Sequence, residues 1–156
     1  MQGLMVGDGP RRAACEELVR TRDIPVRFTG FLNQSQIVAA YVACDLLILP
    51  SDAGETWGLV VNEAMACGRP CIVSDAVGCG PDLIQQGKTG ATYPIGNVDM
   101  LAALIIDFAK YPSNLGTMGA NAQNRVKQYS VQAAVDGVLG CLAAISDSEM
   151  NGGVLD

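Results

Sequence analysis

The chain has 156 residues, a length that suits one domain with a sizeable core. Apolar residues make up 49% and charged residues 17%, which excludes a disordered chain, because disorder goes with low hydrophobicity and high charge. A net charge of −6 offers no general attraction to phosphate, so no nucleic-acid partner is expected.

Leu4-Met5-Val6 is a short apolar strand that Gly7-Asp8-Gly9-Pro10 breaks, and 11–22 follows as a helix through the spacing of Ala14, Leu18 and Val19. A second strand at 26–28 runs into Gly30-Phe31-Leu32. Asn33 then caps a helix, Gln36 completes a capping-box variant, and Leu32 and Ile37 can staple the entry. The run 45–49 predicts a central parallel strand covered on both faces, ended by Pro50 and Ser51. A helix is expected over 58–67, a turn at Gly68-Arg69-Pro70, a strand at 71–73, a short helix at 81–85 and a strand at 91–93.

From Asn97 onward three helices are expected, 98–110, 113–128 and 130–145, with Pro112 separating the first two. The last carries Val131, Val135, Val138, Leu139 and Leu142 on one stripe. Residues 147–156 hold too little apolar content to pack and are expected to form a tail, so the domain is placed at 1–146. Such alternation predicts an α/β class, a Rossmann-like parallel sheet with helices on both faces and ligands at the carboxyl ends of the strands. The loops after Val6, Phe28, Leu49 and Val73 are therefore the candidates for binding.

Six cysteines, at 15, 44, 67, 71, 79 and 141, include no C-x-x-C pair, and the chain has no histidine. No metal site is expected, and the thiols read as reduced groups of a cytoplasmic protein. No apolar run approaches the roughly 20 residues that span a bilayer, and the first residues lack the basic flank and apolar core of a signal.

The densest chemistry lies in 49–68. The backbone N–H groups of Gly58, Leu59 and Val60 open a helix, where free donors and the macrodipole favour an anion such as a pyrophosphate. Gly58 lacks the Cβ that obstructs close approach to those amides. Glu55 lies before the helix and Glu63 in its second turn, and ionised carboxylates accept hydrogen bonds from sugar and ribose hydroxyls. Spacing alone leaves two readings open: a pair of ligand-binding acids, or a dipole partner at Glu55 and an exposed helix residue at Glu63. Gly7 and Gly9 lack the third glycine of a dinucleotide fingerprint and read as turn residues near the ligand. Asp82 reads as a helix-start acid.

This segment resembles the signature of the group 1 family of retaining glycosyltransferases, of GT-B architecture. Glu55 and Glu63, with seven residues between them, match its paired glutamates. Residues 3–10 resemble the family's strand and G-D-G-P turn, 26–31 its R-F-x-G-F segment, 44–50 the strand before the motif, and 63–70 its E-A-M-A-C-G-x-P stretch. The loop 77–82, Gly87-Lys88-Thr89-Gly90 and 99–103 extend the likeness over nearly the whole chain.

The resemblance implies the C-terminal, donor-binding half of a GT-B enzyme that transfers a glycosyl group from a nucleoside-diphosphate sugar without a cofactor or metal. It assigns Glu55 as the catalytic residue touching the donor sugar and Glu63 as the ribose ligand. The amides of Gly58, Leu59 and Val60 would hold diphosphate, beside Thr56, Trp57 and Gly7, with Phe31 and Leu32 next to the nucleobase. The family also carries an Arg and a Lys that neutralise the diphosphate, on a segment upstream of the first matching residue, and an N-terminal half that holds the acceptor. Neither is in this sequence, so the chain alone is expected to be inactive, and any peripheral membrane association belongs to a full-length enzyme. Two other readings stay open, a non-catalytic nucleotide-binding module and a GT-B nucleotide-sugar epimerase fragment. A receiver domain is disfavoured because no acidic cluster follows Val6.

Overall fold

The computed structural model describes residues 1–52 and 54–151, with side chains through 146. Five strands alternate with helices: β1 Gly3–Val6, α1 Arg12–Thr21, β2 Val26–Gly30, α2 Gln34–Ala43, β3 Leu47–Leu49, α3 Leu59–Ala66, β4 Cys71–Ser74, α4 Gly80–Leu83, β5 Gly90–Tyr93, α5 Val98–Lys110 and α6 Pro112–Val126. A 3₁₀ turn at Lys127–Tyr129 leads into α7, Val131–Asn151. The order and type of elements follow the sequence pattern closely. At α2, Asn33 accepts from the amides of Ser35 and Gln36 while the Gln36 side chain accepts from the Asn33 amide, the full capping box.

All strand pairs are parallel, as α/β alternation requires, but they form two sheets, β1–β2 and β3–β4–β5. The central strand of the larger sheet is β4, all four of whose residues are buried, and not β3, whose three residues are half-buried at its edge. The apolar run 45–49 suggested the reverse. Its first two residues lie outside the ladder, and the remaining three pair with β4 alone among the described strands.

The core follows the two-residue period of β4. Cys71 and Val73 pack with Val61, Ala64 and Met65 of α3 and with Ala122 and Val126 of α6. Ile72 packs with Ala91 and Tyr93 of β5, backed by Leu101, Leu104, Ile105 and Phe108 of α5. Helices thus cover both faces of β4, and the loops after β3 and β4 emerge side by side at its carboxyl end.

Two expectations for the C-terminal end change. The last helix continues to Asn151, past the boundary placed at 146, while 152–156 lie outside the described residues. Within Pro112–Ser146 one 18-residue window has a mean hydropathy of 1.3 and is not buried, which meets the length and composition of a membrane span, while Met118, Ala122 and Val126 of the same run are buried in the fold. No single apolar run showed this, because polar residues such as Gln132 and Asp136 interrupt the apolar stretch of the last helix.

Candidate functional site

The loop between β3 and α3 is built by short-range hydrogen bonds and then clamped from outside. Asp52 Oδ1 accepts from the Gly54 amide at 3.1 Å, and its carbonyl accepts from the Glu55 amide at 3.2 Å. The Ser74 hydroxyl at the end of β4 donates to the carbonyl of Ser51. The loop after β4 backs the next residues: the Cys79 amide donates to the Trp57 carbonyl at 2.8 Å. A Cβ on Gly78 would sit 1.9 Å from the Thr56 carbonyl oxygen, so the close backbone approach there demands glycine.

Gly58 is the N-cap of α3 in the left-handed region, at φ 100° and ψ 57°. A Cβ there would lie 3.0 Å from Val77 Cγ1, 3.3 Å from Leu49 Cδ2 and 3.4 Å from Cys79 Sγ. The need for glycine therefore comes from the backbone angle and from packing on the core side, not from room for an anion as the sequence suggested. The consequence for binding is the same. Among the described residues the amides of Gly58, Leu59 and Val60 have no hydrogen-bond acceptor, whereas the Val61 amide already bonds the Gly58 carbonyl at 2.8 Å. Three donors stay free at the positive end of the helix.

The two glutamates stand on either side of this tip in sequence. Glu55 is half-buried beside Cys79. Burial pushes the Cys79 thiol up to about 11, opposed by its backbone hydrogen bond and reinforced by the carboxylates of Glu55 and Asp82. Glu63 is exposed in the second turn of α3, about 6 Å along the axis from Leu59. Its Oε2 accepts from the Tyr41 hydroxyl of α2 at 2.7 Å. Burial first, and then this carboxylate, raise the Tyr41 hydroxyl above its usual range.

The remaining predicted residues are spread along the loops. Thr56 is exposed, Phe31 is 77% exposed and Leu32 half-buried. Gly7, at φ 124°, donates to the Gly30 carbonyl at 2.9 Å with open space on its Cβ side. Trp57 turns its indole towards the C-terminal helices, with Nε1 donating to Asn62 Oδ1 at 2.8 Å and the ring 6.1 Å from that of Tyr129. Trp57, Leu59, Asn62 and Tyr129 line an open cleft of about 320 Å³, which neither glutamate lines. Asp82 lies in the first turn of α4 as expected. Tyr41, Arg125 and Tyr129 escaped the sequence reading, because each acts on a residue far away in the chain that no local spacing encodes, whereas Asn62 went unmarked although it lies only five residues from Trp57.

A family model described as glycosyl transferases group 1 matches residues 2–125, from β1 to the last turn of α6. The chain belongs to this family. Among curated relatives, the sulfoquinovosyl transferase SQD2 of Arabidopsis thaliana is 33% identical over 132 residues, covering 83% of this chain and 25% of the relative. The N-acetyl-alpha-D-glucosaminyl L-malate synthase of Bacillus anthracis is 36% identical over 123 residues, covering 79% and 32%. Among solved structures, Anabaena HepE in complex with UDP superposes with a TM-score of 0.79 at 27% identity, covering 92% of this chain and 41% of that one. The sucrose-phosphate synthase of Thermosynechococcus elongatus gives 0.75 at 29%, covering 94% and 38%. This group 1 chain therefore spans a quarter to a third of the two curated relatives and about two fifths of the solved chains, with the Rossmann-like α/β fold expected of a GT-B half.

Proposed function

We propose that this chain is the donor half of a retaining glycosyltransferase, which holds a nucleoside-diphosphate sugar at the amino end of α3. The observation that carries the reading is the set of three acceptor-free amides at Gly58, Leu59 and Val60, with Glu55 ahead of them and Glu63 after them in sequence at the family's spacing. A diphosphate takes the amides, Glu55 accepts from hydroxyls of the donor sugar, and the Glu63 oxygen not engaged by Tyr41 accepts from the ribose. Gly7, Phe31 and Leu32 lie on the loops after β1 and β2, on the side of the nucleobase. Thr56 continues the lining, and Trp57 contributes by holding the loop. HepE, whose structure carries UDP, supports a uridine nucleotide as the first donor to try.

Departure of the sugar builds charge on the diphosphate, which oriented amides stabilise without a metal, and attack on the face of departure retains configuration without a protein nucleophile. The acceptor and the cations that complete charge neutralisation belong to the rest of a full-length protein. The 156-residue chain accordingly binds the nucleotide and transfers no sugar. Calorimetric titration with UDP tests the site: binding by wild type, weakened at least about tenfold in Glu63→Ala and Gly58→Val, is expected. Equal affinities in all three proteins would place the nucleotide elsewhere.

A further inference from the structure

We infer that Tyr129, braced by Arg125 and Asp82, is a positioning residue that sets the aim of the α3 amides through Trp57. The inference rests on the donor reading and adds a residue from beyond the segment that matches the family, which ends at 125.

Trp57 directly precedes Gly58, so its backbone orientation fixes where the three free amides point. One side of it is held by the loop after β4, through the Cys79 amide and the backbone contact at Gly78. The other side is the indole, bonded to Asn62 and resting on Tyr129 at 6.1 Å with the rings inclined by 39°. Tyr129 is fixed in turn. Its hydroxyl donates to Asp82 Oδ1 at 3.2 Å and accepts from Arg125 Nη2 at 3.1 Å. Arg125 Nε and Nη2 also donate to the Asp82 carbonyl, at 2.8 and 2.6 Å, and the guanidinium lies 5.3 Å from the Tyr129 ring centroid. Asp82 is three residues after Cys79 in the turn of α4. The contacts thus close a ring from Trp57 through Tyr129, Asp82 and Cys79 back to Trp57.

A site built on a loop holds its geometry only where neighbouring groups lock it, and small displacements of binding groups cost large factors in affinity. The ring supplies that lock to a loop whose pivot, Gly58, is otherwise the most permissive residue type. Because Tyr129 also ends the turn that starts α7, the direction of that helix and the aim of the amides share one hinge.

Trp57 is the chain's only tryptophan, so its fluorescence reads this bracket without a ligand. In Tyr129→Leu, acrylamide quenching of Trp57 should rise. Affinity for UDP should fall about tenfold while affinity for uridine, which lacks the phosphates, changes less than about twofold. Tyr129→Phe keeps the stack and releases the hydroxyl, and serves where Tyr129→Leu does not fold; it should lose about threefold for UDP alone. Val126→Ala, a core change at the end of α6, should lower stability and leave the ratio of UDP to uridine affinity intact. If wild type binds no UDP, the donor reading falls and this inference with it. If wild type binds and the tyrosine variants keep both its quenching and its UDP-to-uridine ratio, or lose both ligands equally, the role of Tyr129 is overturned and the donor reading stands.

Discussion

At the residue scale the site depends most on Gly58. The sequence marked this glycine for room on the ligand side, whereas the missing Cβ faces Val77, Leu49 and Cys79 on the core side. A non-glycine residue here must adopt a left-handed backbone, at a cost on the order of 1–3 kcal/mol, and must also push those three side chains aside. Gly58→Ala should therefore lower the urea-unfolding free energy by about that amount and weaken UDP binding together. A variant that keeps full stability would show that the φ of 100° is not held in solution. The paired glutamates were singled out by their match to the family signature, since their spacing alone left two readings open. Tyr41, which engages one oxygen of Glu63, was not, since 22 residues separate them and only the packing of α2 on α3 brings them together.

At the element scale, hydrophobic period and capping chemistry located nearly every helix and strand, since both are written within a few residues. What they did not reveal is which strand is central and where helices touch. Burial of all of β4 depends on α3, α5 and α6 converging from distant segments. The contact between α6 and the turn that ends α3 shows how close that convergence is: a Cβ on Gly119 would lie 2.1 Å from the Gly68 carbonyl oxygen, whereas one on Gly116, a turn earlier in α6, would meet nothing within 4 Å. The two glycines should respond with opposite sign. Gly116→Ala is expected to stabilise by up to about 1 kcal/mol through helix propensity, and Gly119→Ala to destabilise by about 1–3 kcal/mol through overpacking. Parallel denaturant titrations check this, and equal shifts would contradict the approach of α6 to that turn.

At the scale of the whole molecule, burial is uneven and two consequences follow. Along α7, Val131, Val135, Val138, Leu139 and Leu142 are between 44% and 83% exposed, and the hollow beside them is lined only by α7 residues. Apolar surface of this extent drives association, so the 156-residue chain should show concentration-dependent self-association in sedimentation that Val135→Lys with Leu139→Lys abolishes. At the opposite extreme, Cys71, Cys79 and Tyr41 share one core cluster and all have raised pKa values, with burial the largest cause in each. A group whose folded pKa lies above its unfolded one stabilises the fold fully below the unfolded value and loses that contribution as pH climbs through the folded value. For Cys79 the interval runs from 9.0 to about 11. Tyr41 extends the decline above 10.0 and Cys71 carries it further in the same direction. Unfolding free energy should thus fall from about pH 9 upward, each titrating group contributing at most about 1.4 kcal/mol per pH unit. Cys79→Ala should flatten the slope between about pH 9 and 11, and Tyr41→Phe the part above about pH 10. A stability that stays level from about pH 8 to 11 would mean that water already reaches these groups in the folded chain.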